Sequence, residues 1–544
     1  MTDQIAVSIQ NLNFKYASRD EPALLDINLE VKQGELLLIA GASGCGKTTL
    51  SRCINGLIPR SYHGSMDGTL LLNGNDIQKM SLVEISQTVG TLLQDPERQI
   101  VASKVYNEIA FGPENLGLPR EEIIHRINEA ARQLKIEYLL DWETFNLSGG
   151  EKQKVALAGL LVMRPSILLL DEPLASLDSA SAVEALEVFK QLANEGITVI
   201  IVEHRVEDVL RIKPDRLLYM DEGRIEYLGL IDQLPPQIDY QKVKLPAEWI
   251  LPKLKAVPVT PPRDRQADST PMVEFRDVSF RYSKDTRWVL NQVNLTIHKG
   301  DLIALLGPNG SGKSTLIKHA IGLLKPTSGD VIVNGKNTRE VSIAKIARTI
   351  GYVFQSPAHM LFAETVTKEL EFGPGNLGYT PEEIDLSVAK SVEIMNLSSL
   401  EGYPPLGLSF GQQKRTTIAS VLAMRSRIFI MDEPTAGQDY YNYTRFMESL
   451  WNKNPEERSI VAENFDASMI ITHDVDLAVN FANRVIIFEK GEIAADGAPD
   501  EVLVDLDLLR RCRVVPSSLL DLNVKMFPRT QRVLPLAELL NFGG

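Results

Sequence analysis

The chain contains the pattern G-x-x-x-x-G-K-[ST] twice, as "GASGCGKT" from Gly41 to Thr48 and "GPNGSGKS" from Gly307 to Ser314. Each copy follows an apolar, strand-like run and opens a helical pattern, which is the context that gives the motif meaning. Glycines let backbone N–H groups turn inward, and a helix N-terminus adds positive potential, so such a loop suits phosphate groups. Lys47 and Lys313 can then pair with β- and γ-phosphate oxygens, while the hydroxyls of Thr48 and Ser314 can ligate Mg²⁺. Gly41, Ser43, Gly44, Cys45, Gly46 and Thr49 complete the first predicted nucleotide cradle. Gly307, Asn309, Gly310, Ser311, Gly312 and Thr315 complete the second. One match could be a glycine-rich loop by chance; two, each in the same order with further motifs, are not.

The further motifs also come in pairs. Apolar runs end in Asp171-Glu172 ("ILLLDE") and in Asp432-Glu433 ("IFIMDE"). A buried strand that delivers carboxylates beside a phosphate loop needs a cation to neutralise them. Asp171 and Asp432 suit Mg²⁺, directly or through water. Glu172 and Glu433 suit orienting an attacking water or accepting its proton. "LSGGE" at Leu147 and "LSFGQ" at Leu408 place a serine and glycine just before a helical run, an N-cap with free N–H groups. Such a cap wants an anion, yet its own phosphate loop already holds one. The economical reading is that each cap meets the γ-phosphate bound by the other copy.

These residues need a scaffold repeated twice. The two loop lysines are 313 − 47 = 266 residues apart, and the two aspartates 432 − 171 = 261. Short apolar runs alternating with longer helical patterns indicate an α/β fold with a mostly parallel sheet flanked by helices. Residues from about Ser81 to Leu147, with amphipathic stretches such as "PREEIIHRINEAARQL", read as an inserted helical subdomain. The expected domains are 1–234 and 272–498, joined by a semi-extended linker at 235–271 that carries eight prolines, with a small C-terminal appendage at 499–544. A net charge of −14 argues against binding nucleic acid through overall charge. Three scattered cysteines suggest a reducing compartment rather than a disulfide or zinc framework. The N-terminus lacks the pattern of a signal peptide, and apolar runs of five or six residues fall short of the roughly 20 a membrane span needs.

The ordered motif set resembles the ATP-binding cassette (ABC) ATPases over nearly the whole chain apart from linker and tail. The resemblance implies two tandem P-loop NTPase domains of ABC type, each with an added antiparallel β part, using ATP and Mg²⁺. It implies that Tyr16 and Tyr282 stack on adenine, and that Gln94 and Gln355 contact Mg²⁺ and sense the γ-phosphate. It makes Ser148, Gly150, Ser409 and Gly411 signature residues, and Asp178 and Asp439 the ends of the D-loops. His204 in "VEHR" and His473 in "ITHD" become the switch histidines. The family's paired arrangement would here be intramolecular, joining Lys47 to the signature at Ser409 and Lys313 to that at Ser148. Two residues depart from the pattern: Phe410 replaces the first signature glycine, and Glu151 replaces a glutamine. The first is expected to slow or loosen the Lys47 site.

"FGPENLGLP" (Phe111–Pro119) and "FGPGNLGYT" (Phe372–Thr380) look on composition alone like turns. Both begin 17 residues after the glutamine, 111 − 94 and 372 − 355, which suggests a rigid corner between the nucleotide-sensing loop and the helical subdomain. Thr380-Pro-Glu-Glu383 reads as a capping box. With "QDPERQ" upstream, this corner resembles the ATPases of energy-coupling factor transporters and their cobalt- and nickel-importing kin. That resemblance implies a peripheral motor on the cytoplasmic membrane face. It would work with a transmembrane scaffold subunit and a small substrate-capture membrane protein, with no nucleic acid. Translation-factor cassettes share the tandem layout but carry a charged helical linker. Sugar-importer relatives usually show a degenerate second P-loop, whereas here the second is the more regular.

Overall fold

A computed structural model describes residues 4–175, 177–231, 238–259, 270–284, 286–435, 438–451 and 459–542. Parts of the expected linker, 235–237 and 260–269, lie outside the described residues. The chain divides into two compact units, one built on Met1–Leu245 and the other on Pro246–Gln438 with Asn442–Gly544.

Each unit holds one antiparallel and one mostly parallel sheet. In the first, the six-stranded sheet runs Arg224–Gly229, Arg216–Asp221, Leu36–Gly41, Thr198–Val202, Ile167–Asp171, Val89–Leu92, with only the first strand antiparallel to its neighbour. The second repeats it: Glu492–Gly497, Arg484–Glu489, Leu302–Leu306, Ala467–Ile471, Ile428–Asp432, Ile350–Val353. Leu36–Gly41 and Thr198–Val202 are buried along their whole length, so they appear in sequence as unbroken apolar runs rather than alternating ones. The antiparallel sheet, Leu24–Lys32, Ile5–Tyr16, Gly64–Leu72 and Asn75–Asp76, instead buries one face through Val7, Ile9, Leu12 and Phe14. That face packs with Leu37, Ile39, Leu169 and Ile200 of the parallel sheet in one core. Each such side chain contributes about 1.5–3 kcal/mol when fully buried.

Two expectations change. The stretch from Ser81 to Leu147 is not wholly helical, because Val89–Leu92 forms the edge strand of the parallel sheet beside Ile167–Asp171. Four residues are too few for a periodic signal to stand out. "FGPEN" is likewise not a turn: Val105–Asn115 is one helix that contains Pro113, and Val366–Asn376 repeats it with Pro374. Each proline gives up one helical bond, to the carbonyl four residues earlier, and each helix ends two residues after it. The turn comes only afterwards, as a Schellman cap. Gly117 (φ 67°) donates to Glu114 O at 2.9 Å, and Leu118 to Pro113 O at 3.2 Å. Gly112 is there for close approach, since a Cβ would sit 2.5 Å from Met163 Sδ; at Gly373 one would sit 2.5 Å from Met424 Cγ. The capping box at Thr380 and Glu383 forms as the sequence indicates.

In the second unit the C-terminal helix Ser518–Thr530 and the short helix Ala247–Ile250 share a core with Val475, Val479, Ile487 and Leu509. Fully buried Asn523 holds that end together: its Nδ2 donates to Leu534 O (2.9 Å), and its Oδ1 accepts from Leu534 N (2.6 Å). Asn523→Leu leaves both backbone groups buried and unpaired, and should destabilise this end by about 2–4 kcal/mol. Limited proteolysis should then cut after residue 498 faster than in the parent. Among the described residues no helix is long and apolar enough to cross a membrane.

Candidate active sites

Each phosphate-loop motif lies where the sequence places it, between a buried strand and a helix: Leu36–Gly41 with Lys47–Ile54, and Leu302–Leu306 with Lys313–Ala320. The first glycine of each has a φ no other residue adopts comfortably, 151° at Gly41 and 148° at Gly307. A Cβ there would strike the next strand's backbone, 2.3 Å from Met220 O and 2.1 Å from Phe488 O. Lys47 Nζ donates to Gly41 O (2.8 Å) and Ala42 O (2.7 Å), and Lys313 Nζ to Gly307 O (2.7 Å) and Pro308 O (3.0 Å). Both ammonium groups are thus held within the loop whose N–H groups would surround phosphate. Tyr16 and Tyr282 reach the same helices through hydroxyl contacts with Thr49 (3.2 Å) and Thr315 (3.4 Å).

In the first unit the predicted base, glutamine and histidine form one cluster. Gln94 Nε2 donates to Glu172 Oε2 at 2.6 Å, and His204 Nε2 lies 2.6 Å from Glu172 Oε1. Burial works to raise the Glu172 carboxyl, but the His204 hydrogen bond and charge, with Lys47, outweigh it and hold it below the usual range. It is therefore ionised and able to accept a proton. Asp171 behaves oppositely: burial, then the neighbouring Glu172 charge, pushes it up to about 6. Its Oδ1 is buried and has no hydrogen-bond partner among the described residues. A desolvated carboxylate oxygen facing a phosphate loop fits a divalent cation.

The second unit reaches the same arrangement with different partners. His473 presents Nδ1 to Glu433 Oε2 at 3.0 Å, and Glu433 is held below its usual range against burial by His473 and Lys313. Gln355 makes no hydrogen bond to Glu433 among the described residues. Asp432 accepts from Tyr352 OH (2.6 Å) and Ser314 Oγ (3.3 Å), while burial still raises it. The hydroxyl contact puts Ser314 and Asp432 side by side, as a shared Mg²⁺ would require. When bound, that ion would neutralise charge on the β- and γ-phosphate oxygens.

The signature serines open helices Gly149–Leu161 and Phe410–Ala423. Glu151 does for Ser148 what Gln412 does for Ser409: its carboxylate accepts the Ser148 N–H (2.8 Å), and Gln412 Oε1 accepts the Ser409 N–H (2.9 Å). Ser148 makes no hydrogen bond to the Gly41–Thr48 loop among the described residues.

Several positioning residues escape a reading of the sequence. Buried Glu203 accepts N–H bonds from Leu174 (3.0 Å), His204 (2.7 Å) and Arg205 (3.0 Å), tying the segment after Glu172 to the histidine. It looks in sequence like an ordinary strand end. Glu108 accepts from Val101 N (2.9 Å) and Ala102 N (2.7 Å), and Glu369 from Phe362 N and Ala363 N, both at 2.9 Å. These carboxylates pin the loop that follows Gln94 or Gln355 to the helix bearing Phe111 or Phe372. Their repetition at 369 − 108 = 261 is the signal that could have found them.

Comparison with known proteins gives the family. A family model described as "ABC transporter" matches residues 24–175 and 290–436. The chain is 35% identical over 551 residues to a Methanosarcina mazei protein named "Putative ABC transporter ATP-binding protein", covering 94% of this chain and 92% of that one. A Lactobacillus johnsonii protein of the same name is 36% identical, with 96% and 95% covered. Among solved structures, cbiO1 from Clostridium perfringens, part of the ABC transporter complex cbiONQ, is 30% identical with a TM-score of 0.39, covering 50% of this chain and 99% of that one.

Proposed function

The chain belongs to the ABC transporter family as an ATP-hydrolysing, ATP-binding protein, and we propose that it is the motor of an energy-coupling factor type importer. One chain supplies both cassettes, each with its own phosphate loop and signature helix. In each site Glu172 or Glu433 accepts a proton from the attacking water, His204 or His473 holds that carboxylate in place, and Lys47 or Lys313 binds phosphate oxygens. The chain sits at the cytoplasmic face of the membrane through its partners, a transmembrane scaffold and a small capture protein. The cargo is a vitamin, a vitamin precursor or a transition metal.

The observation that supports this reading is the repeated corner. Phe111 and Phe372 lie exposed, at 53% and 55%, on helices that Glu108 and Glu369 tie to the loops after Gln94 and Gln355. Phe362, itself 61% exposed, packs edge-on against Phe372 with ring centroids 4.7 Å apart. An apolar surface fixed to a nucleotide-sensing loop is a place where force can leave the ATPase. Purification of the tagged chain in mild detergent, followed by mass spectrometry, should recover two small hydrophobic proteins; ribosomal proteins in their place would overturn the assignment. Phe111→Ser with Phe372→Ser should lose those partners while ATP turnover by the isolated chain stays within about twofold, since both rings are exposed at the surface.

A further inference from the structure

The two units differ at three positions that touch one another. Phe410, Lys414 and Phe446 of the second unit correspond to Gly149, Gln153 and Ala185 of the first, each 261 residues earlier (410 − 149, 414 − 153, 446 − 185). Lys414 is fully buried in the signature helix Phe410–Ala423. Its Nζ lies 5.9 Å from the centroid of Phe410 and 6.0 Å from that of Phe446, within cation–π range of both rings. The same Nζ donates to the carbonyl of Pro434, the residue after Glu433. In the first unit Gln153 Nε2 donates to the matching Pro173 O at 2.5 Å, and the two positions matching the rings hold Gly149 and Ala185. Each unit therefore carries its own self-consistent set, glycine–glutamine–alanine or phenylalanine–lysine–phenylalanine. Glu433 is the charged group acting on the ammonium.

We propose that Lys414 is a positioning residue for Glu433: caged by Phe410 and Phe446, it links the signature turn to the peptide after the base, by a strut the first unit builds without charge. The replacement of the signature glycine by Phe410 is then one member of a coupled set of three rather than an isolated lesion. Fixing the Pro434 carbonyl fixes the backbone that carries Glu433, whose φ of 42° is one that few glutamates adopt unaided. The inference rests on Glu433 being the base of the second unit.

The test uses the full chain in an E172Q background, where turnover depends on Glu433. Lys414→Met, which removes both the bond and the charge, should lower kcat about tenfold with KM for ATP within about threefold, the size of one lost buried hydrogen bond acting on the transition state. Restoring the first unit's set with F410G, K414Q and F446A together should recover kcat to within about threefold of the E172Q parent, while K414Q alone should not. A second readout needs no nucleotide. Burial lowers Lys414 to about 8 against an ordinary value of 10.5, so the unfolded chain binds the extra proton between those values. Stability of the E172Q parent relative to its K414Q variant should accordingly rise as pH increases from about 8 to 10.5. If K414M leaves kcat within about twofold, or the triple variant fails to recover it while melting like the parent, the strut is overturned. Turnover surviving in E172Q/E433Q would instead overturn the base assignment beneath it.

Discussion

Exchanging Glu172 and Glu433 together for glutamine should stop steady ATP turnover while leaving ATP binding intact. Both carboxylates sit at strand ends beside a phosphate loop, and both are kept ionised against burial by a histidine, His204 at 2.6 Å and His473 at 3.0 Å. A carboxylate held that way accepts a proton; the isosteric amide cannot. Loss of a positioned base costs about 10²–10⁴ in rate. The amide keeps the shape of the site, and Lys47 and Lys313, the phosphate ligands in the proposed mechanism, are untouched. A fluorescent nucleotide should therefore still bind, with an affinity within about threefold of the parent, because no charge-assisted bond to phosphate is lost. Phosphate release in a coupled assay should fall to background. Undiminished turnover in the double variant would remove both glutamates from the mechanism.

The positions of the phosphate loops, the strand-end carboxylates and the two histidines beside them were legible because each combines a local rule with a repeat. A glycine at φ 151° or 148° permits few alternatives, and an apolar run ending in Asp-Glu must emerge from a sheet. The corner was only half legible. Its distance from the glutamine could be counted, but its helical state could not, because glycine and proline argue against helix while Met163, Met424 and the Schellman cap argue for it. Tertiary contact decided the matter. Val89–Leu92 was missed for want of length. Glu203, Glu108 and Glu369 were missed because a carboxylate that accepts backbone N–H groups leaves no motif; its partners are set by the fold. Lys414 lay in view beside the signature, and only its burial between two rings distinguishes it from an ordinary helix lysine.

The loop lysines set the second large effect. Lys47→Ala with Lys313→Ala should weaken ATP binding by about one to two orders of magnitude at each site, since a charge-assisted bond to phosphate contributes about 1.5–3 kcal/mol. Lys47 Nζ donates to Gly41 O and Ala42 O, and Lys313 Nζ to Gly307 O and Pro308 O. Phosphate binding must share or replace those bonds, so the net loss falls below what the bare Coulomb attraction suggests. The same bonds predict a second consequence. Alanine leaves these loop carbonyls without their ammonium donor, so each unit should also lose a little stability before any ATP is added. Binding and stability therefore separate the lysine's two roles. Arginine keeps a charge but is too bulky for a side chain as buried as Lys47, at 4% exposure, and should restore neither. Isothermal titration with ATP and Mg²⁺, set beside thermal unfolding of the nucleotide-free chain, measures both; wild-type affinity in the double alanine variant would mean that the loop backbone alone holds the phosphates.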